Sequence, residues 1–330
     1  MHSKGHIRRV LCAVALVATL PATGLAQEAA YPTKPVTIVV PFSPGGGVDV
    51  MARLLAEKLR VLLGQSVIVE NKAGGSGMIG TTAVARAPAD GYTLLMASAG
   101  EIAINPHVHK GKMQYAPEKD LAPVTLVVKV PNVVVVNPKL PVKSVAELLA
   151  YAKANGKVSY GTSGIGNPQH LAGELLAQLS NTPLTHVPYR GASNQLTDTA
   201  GGSIDMTFVS LAGARPFMKD GRVRAIAITS PARSPLAPEL PAVAETKGLE
   251  RYALENWFGL FAPAATPSAI TQKLNAAVTQ ALNSPELVGR LRELGGEPTP
   301  MTSAQFKTFI QTESARFAKL VEDAKITAEN

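Results

Sequence analysis

The chain of 330 residues carries one cysteine, Cys12, one tryptophan and few aromatics, 5% in all. A lone cysteine excludes an internal disulfide, a paired redox motif and a cysteine-rich metal site. The apolar run Val10–Leu20 falls short of the roughly 20 residues that a membrane helix needs. The net charge of +8 is spread along the chain, without the basic stripe of a nucleic-acid binder. No low-complexity or coiled-coil segment is present.

Two catalytic signatures are also missing. The glycines Gly45-Gly46-Gly47 lead into Val48-Asp49, so the lysine and hydroxyl of a nucleotide P-loop are absent, and no dinucleotide G-x-G-x-x-G stands at this position. Gly161-Thr162-Ser163-Gly164-Ile165 and Gly74-Gly75-Ser76-Gly77-Met78 both miss the last glycine of a serine-hydrolase elbow. A secreted hydrolase therefore stands only as an alternative. No cofactor and no metal are expected. His107-x-His109 is an isolated pair in a polar stretch, read as surface, and no set of three metal ligands accompanies it.

At the N-terminus, Lys4, His6, Arg8 and Arg9 precede Val10–Leu20, and PATGLA places Gly24 and Ala26 at −3 and −1 of a cut before Gln27. That order predicts a signal peptide over residues 1–26 and a periplasmic product. Cleavage would remove Cys12 and the charges of Lys4, Arg8 and Arg9, leaving roughly 300 residues, enough for two domains.

Apolar β-branched runs then alternate with helical patterns, which predicts an α/β fold with largely parallel sheets. Strands are expected at Val36–Val40, Val67–Val69 and Thr93–Ala97, with helices at Val48–Leu63 and Met78–Arg86. A second cycle starts at Asn132–Pro138. Ser144 and Glu147 predict a capped helix ending near Ala154. Strands at Leu184–Val187, Asp205–Val209 and Val223–Ile228 are expected to alternate with helices at Pro168–Leu179, Ser193–Thr199 and Ala212–Lys219. Leu254–Pro263 is another apolar run, and Pro267–Leu294 and Thr302–Ala324 read as helical.

One device occurs twice. VTIVVPFSPGGGVDVMAR and KVSYGTSGIGNPQHLAGEL are each strand, glycine loop, helix. Glycines let backbone N–H groups converge, and a helix N-terminus adds unpaired donors and partial positive charge. Such a loop holds a carboxylate or phosphate without arginine. Two of them predict an anion site between two lobes, with Ser43, Thr162 and Ser163 adding hydroxyls. His170, early in the second helix, has either a structural or a ligand role. Asp49 either favours its helix N-terminus electrostatically or contacts the ligand.

In order along the chain, YPTKPVTIVVPFSPGGGVDVMARLLAEKL, VIVENKAGGSGMIGTTAVARAPADGYTLLMAS, INPHVHK, VSYGTSGIGNPQHLAGELL and HVPYRGASNQLTDTAGGSIDMTF resemble the Bug-type extracytoplasmic solute receptors of tripartite tricarboxylate transporters. GRVRAIAITSPARSPLAPELPAVAE extends the resemblance. The resemblance implies a two-lobed periplasmic binding protein closing on a small organic acid, performing no chemistry and serving transporter membrane subunits. It implies a discontinuous first lobe, residues 27–131 and 258–330, and a second lobe, 132–257, joined through Asn132–Pro138 and the NWFGLFAP segment. The ligand-binding positions it implies are Phe42, Ser43, Gly45, Gly46, Asp49, Thr162, Ser163, Gly164, Gly166 and His170. Ser98 and Glu101 end another strand, where open α/β sheets place ligands. Glu101 is either solvated or a specificity residue favouring an amine, amide or neutral distal group, and Asp205 is a further candidate. A sensor subunit remains an alternative to a transport receptor, and a monomer is the natural expectation.

Overall fold

The structure, a computed structural model, describes residues 31–156 and 158–328. The expected signal segment, residues 1–26, lies outside the described residues. The chain runs β1 (Val36–Val40), α1 (Gly47–Leu63), β2 (Val67–Asn71), α2 (Met78–Ala85) and β3 (Thr93–Ser98). A wide helical turn over Gly100–Ile104 leads to short α3 (Asn105–Val108) and α4 (Pro117–Asp120), then to the long strand β4 (Leu121–Val136). Next come α5 (Val145–Asn155), β5 (Ser159–Thr162), α6 (Pro168–Ser180), β6 (Thr185–Pro188), α7 (Ala192–Gly201), β7 (Met206–Ser210), α8 (Leu211–Lys219) and β8 (Arg224–Ile228). The chain returns through β9 (Glu255–Pro263) and ends in α9 (Ser268–Leu282), α10 (Pro285–Glu293), β10 (Glu297–Pro298) and α11 (Ser303–Asp323).

The strands join in the order β2-β1-β3-β9-β4-β7-β5-β6, with β8 and β10 also on β4. Parallel pairing holds on both flanks, where β1 lies between β2 and β3 and β5 between β6 and β7. Strands β4, β8, β9 and β10 pair antiparallel, so the sheet is mixed rather than largely parallel. The reason is β4. Its first part, Leu121–Pro131, pairs with β9, and its second, Asn132–Val136, lies between β7 and β8. Strand β4 thus spans both paired sets, and β9 returns the chain along its first part.

Side chains alternate across β4 because successive Cβ atoms point to opposite faces. Val134 and Val136 join one core with Tyr160, Leu171 and Phe208, while Val133 and Val135 join another with Leu196, Val209 and Ile228. A strand buried on both faces is continuously apolar. In α1, Val48, Met51, Leu55 and Leu59 recur on one buried face, and Gly64 ends the helix at φ 65°. α5 begins as expected: Ser144 Oγ accepts from Glu147 N at 3.2 Å, and Glu147 in turn accepts from Lys143 N at 2.6 Å. The helical stretch expected over Pro267–Leu294 is divided where Asn283-Ser284-Pro285 ends α9 and opens α10.

Candidate functional site

The C-terminal ends of four strands, β1, β3, β5 and β7, meet around one cavity of about 30 Å³. From the first half come Phe42, Gly46, Gly47, Val48 and Asp49 after β1, and Ser98 at the end of β3. From the second come Ser163, Asn167, Pro168 and Gln169 after β5, Ala192 at the start of α7 and Ser210 at the end of β7. Asn256 and Phe258 of β9 complete the wall. Among the described residues, no lysine, arginine or histidine lines it.

The two helix N-termini at the cavity differ. Helix α1 starts at Gly47 with no side chain capping it. Its first N–H groups therefore keep the donor capacity and partial positive charge of an open helix end. Helix α6 is closed. Asn167 Oδ1 accepts from Gln169 N at 3.0 Å and His170 N at 2.9 Å, and Pro168 has no N–H to offer. What Asn167 presents instead is its side-chain Nδ2, buried and without a hydrogen-bond partner.

Several loop amides are already engaged. Gly45 N donates to Asp49 Oδ2 at 2.9 Å, Ser163 N to Gln169 Oε1 at 2.8 Å, Gly164 N to Thr162 Oγ1 at 3.2 Å and Gly166 N to His170 Nδ1 at 3.3 Å. Gly45, Gly164 and Gly166 sit at φ 82°, 119° and 79°, conformations other residues rarely adopt. Much of each glycine loop is thus held by its own neighbours rather than left as a free cradle.

This sorts the expected residues. Phe42, Gly46, Asp49, Ser98 and Ser163 line the cavity. Asp49 does so with its oxygens occupied: it accepts from Gly45 N, from Arg53 at 3.0 and 2.9 Å, and from Asn71 at 2.9 Å. Burial raises its pKa, but the bonds from Arg53, Gly45 and Asn71 and the Arg53 charge outweigh this and leave it lowered. Asp49 is a brace for the loop. Ser43, Gly45, Thr162, Gly164 and Gly166 shape the loops without lining the cavity; Ser43 packs on Gly191 and donates its N–H to Arg190 O at 3.4 Å.

His170 lies behind the second loop. Burial, reinforced by His186 and His109, pushes its pKa down to about 3, and burial pushes His186 down to about 4, so neither carries positive charge near neutral pH. Asp205 stands just before β7, at the opposite end of that strand from Ser210, and accepts from Ser159 N and Oγ at 2.8 Å. It braces the far edge of the sheet. His107 and His109, expected at the surface, point to different partners: His107 Nε2 lies 2.9 Å from Ser314 Oγ, and His109, buried, has Nε2 3.1 Å from Ile165 O.

Glu101 is neither solvated nor at the cavity wall. It is fully buried behind Ser98, with Oε2 accepting from Ser98 N at 2.7 Å and Ser98 Oγ at 3.0 Å. Oε1 has no partner. Burial pushes its pKa up to about 7 against these bonds.

Asn167, Gln169, Ser210, Asn256 and Phe258 were not anticipated. Asn167 had a signal, because Asn-Pro before a helical pattern marks an N-cap followed by proline at the first helical position. Ser210, Asn256 and Phe258 had none, since their place depends on strand pairing.

Comparison with known proteins agrees with this architecture. Residues 51–326 match the tripartite tricarboxylate transporter family receptor. Protein BugT of Bordetella pertussis is 34% identical over 96% of this chain and 98% of its own. A protein from the tcbD-tcbE intergenic region of Pseudomonas sp. strain P51 is 37% identical over 97% and 95%. Among solved structures, an R. palustris protein with adipate superposes with a TM-score of 0.87 at 37% identity, covering 90% of this chain and 99% of that one. MatC from Rhodopseudomonas palustris with bound malate gives 0.83 at 32%, covering 88% and 100%. Periplasmic binding protein BugD gives 0.86 at 34%, covering 90% and 99%. Such receptors bind solutes and are not enzymes, which removes the hydrolase alternative. The chain belongs to the receptor family of the tripartite tricarboxylate transporters.

Proposed function

We propose that this protein is a periplasmic receptor that captures one small organic acid between two lobes and delivers it to transporter membrane subunits. The observation that carries the reading is the uncapped N-terminus of α1 and the unpartnered Asn167 Nδ2 beside one partly open cavity without cationic side chains. A carboxylate placed there is held by helix N–H groups, the Asn167 amide and the Ser163 hydroxyl. The ligands of the R. palustris relatives, adipate and malate, support a carboxylate as the anion. We take residues 27–131 with 258–330 as one lobe and 132–257 as the other, because the pairing of β4 changes at Asn132. Among the described residues no helix is long and apolar enough to cross a membrane, and release after residue 26 would free the receptor as a monomer.

A thermal-shift screen of mono- and dicarboxylates, hydroxy acids, amino acids and aromatic acids tests the reading. A true ligand at a hundred times its Kd stabilises the protein by about 2.7 kcal/mol. Asn167→Ala should remove most of that shift. A screen in which no acid moves the transition overturns the proposal. Deleting the cognate permease separates transport from sensing: growth on the ligand must stop.

A further inference from the structure

Ser98 sits on the cavity wall with every hydrogen-bonding direction but one committed. Its hydroxyl donates to Glu101 Oε2 at 3.0 Å and accepts from Gly100 N at 3.2 Å. A serine hydroxyl has one proton and two lone pairs. What remains toward the cavity is a lone pair. Ser98 there accepts and does not donate.

Glu101 enforces this. Its Oε1 is already unpartnered, and its Oε2 accepts from Ser98 N and Ser98 Oγ. A Cβ at Gly77 would lie 2.5 Å from Oε1, so Gly77 seals that oxygen and leaves no room for a cation beside it. Turning the Ser98 proton toward a ligand would strip the buried carboxylate of a further bond, and a buried charge with unmet acceptors is costly. Among the described residues no lysine or arginine is bonded to Glu101, so above pH 7, where it is ionised, its negative charge stands uncompensated behind Ser98.

We propose that the Ser98–Glu101 pair is a specificity wall that accepts a hydrogen bond from the ligand's distal group and repels a second carboxylate. The inference rests on the carboxylate-receptor reading and names the subclass: acids whose far end carries a hydroxyl, amine or amide N–H. The carboxylate goes to the α1 and Asn167 end, and the donor goes to Ser98. A distal carboxylate finds no donor at this wall and meets the charge of Glu101. A methyl group at the same place leaves the Ser98 lone pair unsatisfied. Discrimination of this kind uses a repulsive element as well as an attractive one.

The test is titration calorimetry at pH 8, where Glu101 is mostly ionised, with length-matched four- and six-carbon sets: the unsubstituted monocarboxylate, its ω-hydroxy and ω-amino forms, and the dicarboxylate. The wild type should bind the hydroxy or amino acid at least about tenfold tighter than the dicarboxylate and the unsubstituted acid. Glu101→Gln keeps an acceptor for Ser98 but removes the charge, and should narrow the margin over the dicarboxylate about tenfold. Ser98→Ala should erase the preference for hydroxyl or amine over methyl, and it tests the wall even should Glu101→Gln fail to fold. Tightest wild-type binding by the dicarboxylate, or ratios unchanged in the variants, overturns the proposal while leaving the receptor reading intact. Binding of no acid in either set, with a shift from another carboxylate in the thermal screen, overturns this inference alone. No carboxylate response in either experiment overturns both.

Discussion

Two buried carboxylates behave oppositely because of what surrounds them. Asp49 is met by a guanidinium, an amide side chain and a backbone N–H, which hold its pKa down despite burial. A lowered pKa contributes stability above the ordinary value of 3.8, lost as pH falls through the folded value. Asp49→Ala should therefore cost about 2 kcal/mol at pH 7, moderated by the half-exposed Arg53. Urea titrations should show the difference shrinking toward pH 3; an equal cost at both pH values would contradict the assignment. Glu101 has no cation, and burial raises it to about 7 from 4.5. Between those values the folded state binds more protons than the unfolded one, so its stability falls as pH rises through that window. Glu101→Gln should stabilise the fold at pH 8 by on the order of 3 kcal/mol, seen as a higher melting temperature, with no gain below pH 4.5. A variant less stable than the wild type at pH 8 would contradict this.

At the scale of elements, the close approach of α1 to the end of β7 depends on a glycine with ordinary helical geometry. A Cβ on Gly47 would stand 2.0 Å from Ser210 Oγ. Gly47→Ala creates no backbone strain, since only positive φ demands glycine. It should weaken ligand binding at least about tenfold with little change in the unliganded melting temperature. Pairing it with Ser210→Gly should recover most of the affinity, and failure of the double variant to recover would show that the contact does not limit closure. The elements themselves were legible. The α1 apolar repeat, the valine runs of β1 and β4 and the Ser144 cap each state their structure locally. The first part of β4 was not, because Pro123, Lys129 and Pro131 interrupt it and bulges carry the strand past register shifts. Its strand character comes from pairing with β9, more than a hundred residues away.

For the whole molecule, the two halves touch at residues remote in sequence. Gly46 faces Ala192, Ser43 packs on Gly191, and Gly164 meets Ser76. A Cβ on Gly46 would lie 3.4 Å from Ala192 Cβ, a tenth of an ångström below the usual disulfide range. With Cys12 the only cysteine in the sequence, Gly46→Cys with Ala192→Cys would form the only disulfide of a chain processed after residue 26. When oxidised it should hold the halves shut and block uptake of added ligand, and a reductant should restore uptake. Ligand exchange at the same rate in both redox states would sink the closure mechanism.

By itself the sequence determined the α/β alternation and the paired strand–glycine–helix units, because each is written in local spacing, and its segments carried the resemblance to the family. The tertiary structure decided which donors remain free. Hydrogen bonds within each loop occupy Gly45, Ser163, Gly164 and Gly166, and only the folded chain shows that Asn167 Nδ2 is left buried without a partner while α1 stays uncapped. It also placed Glu101 behind Ser98 rather than in solvent. Burial and partner choice depend on residues distant in the chain, and no local pattern encodes them.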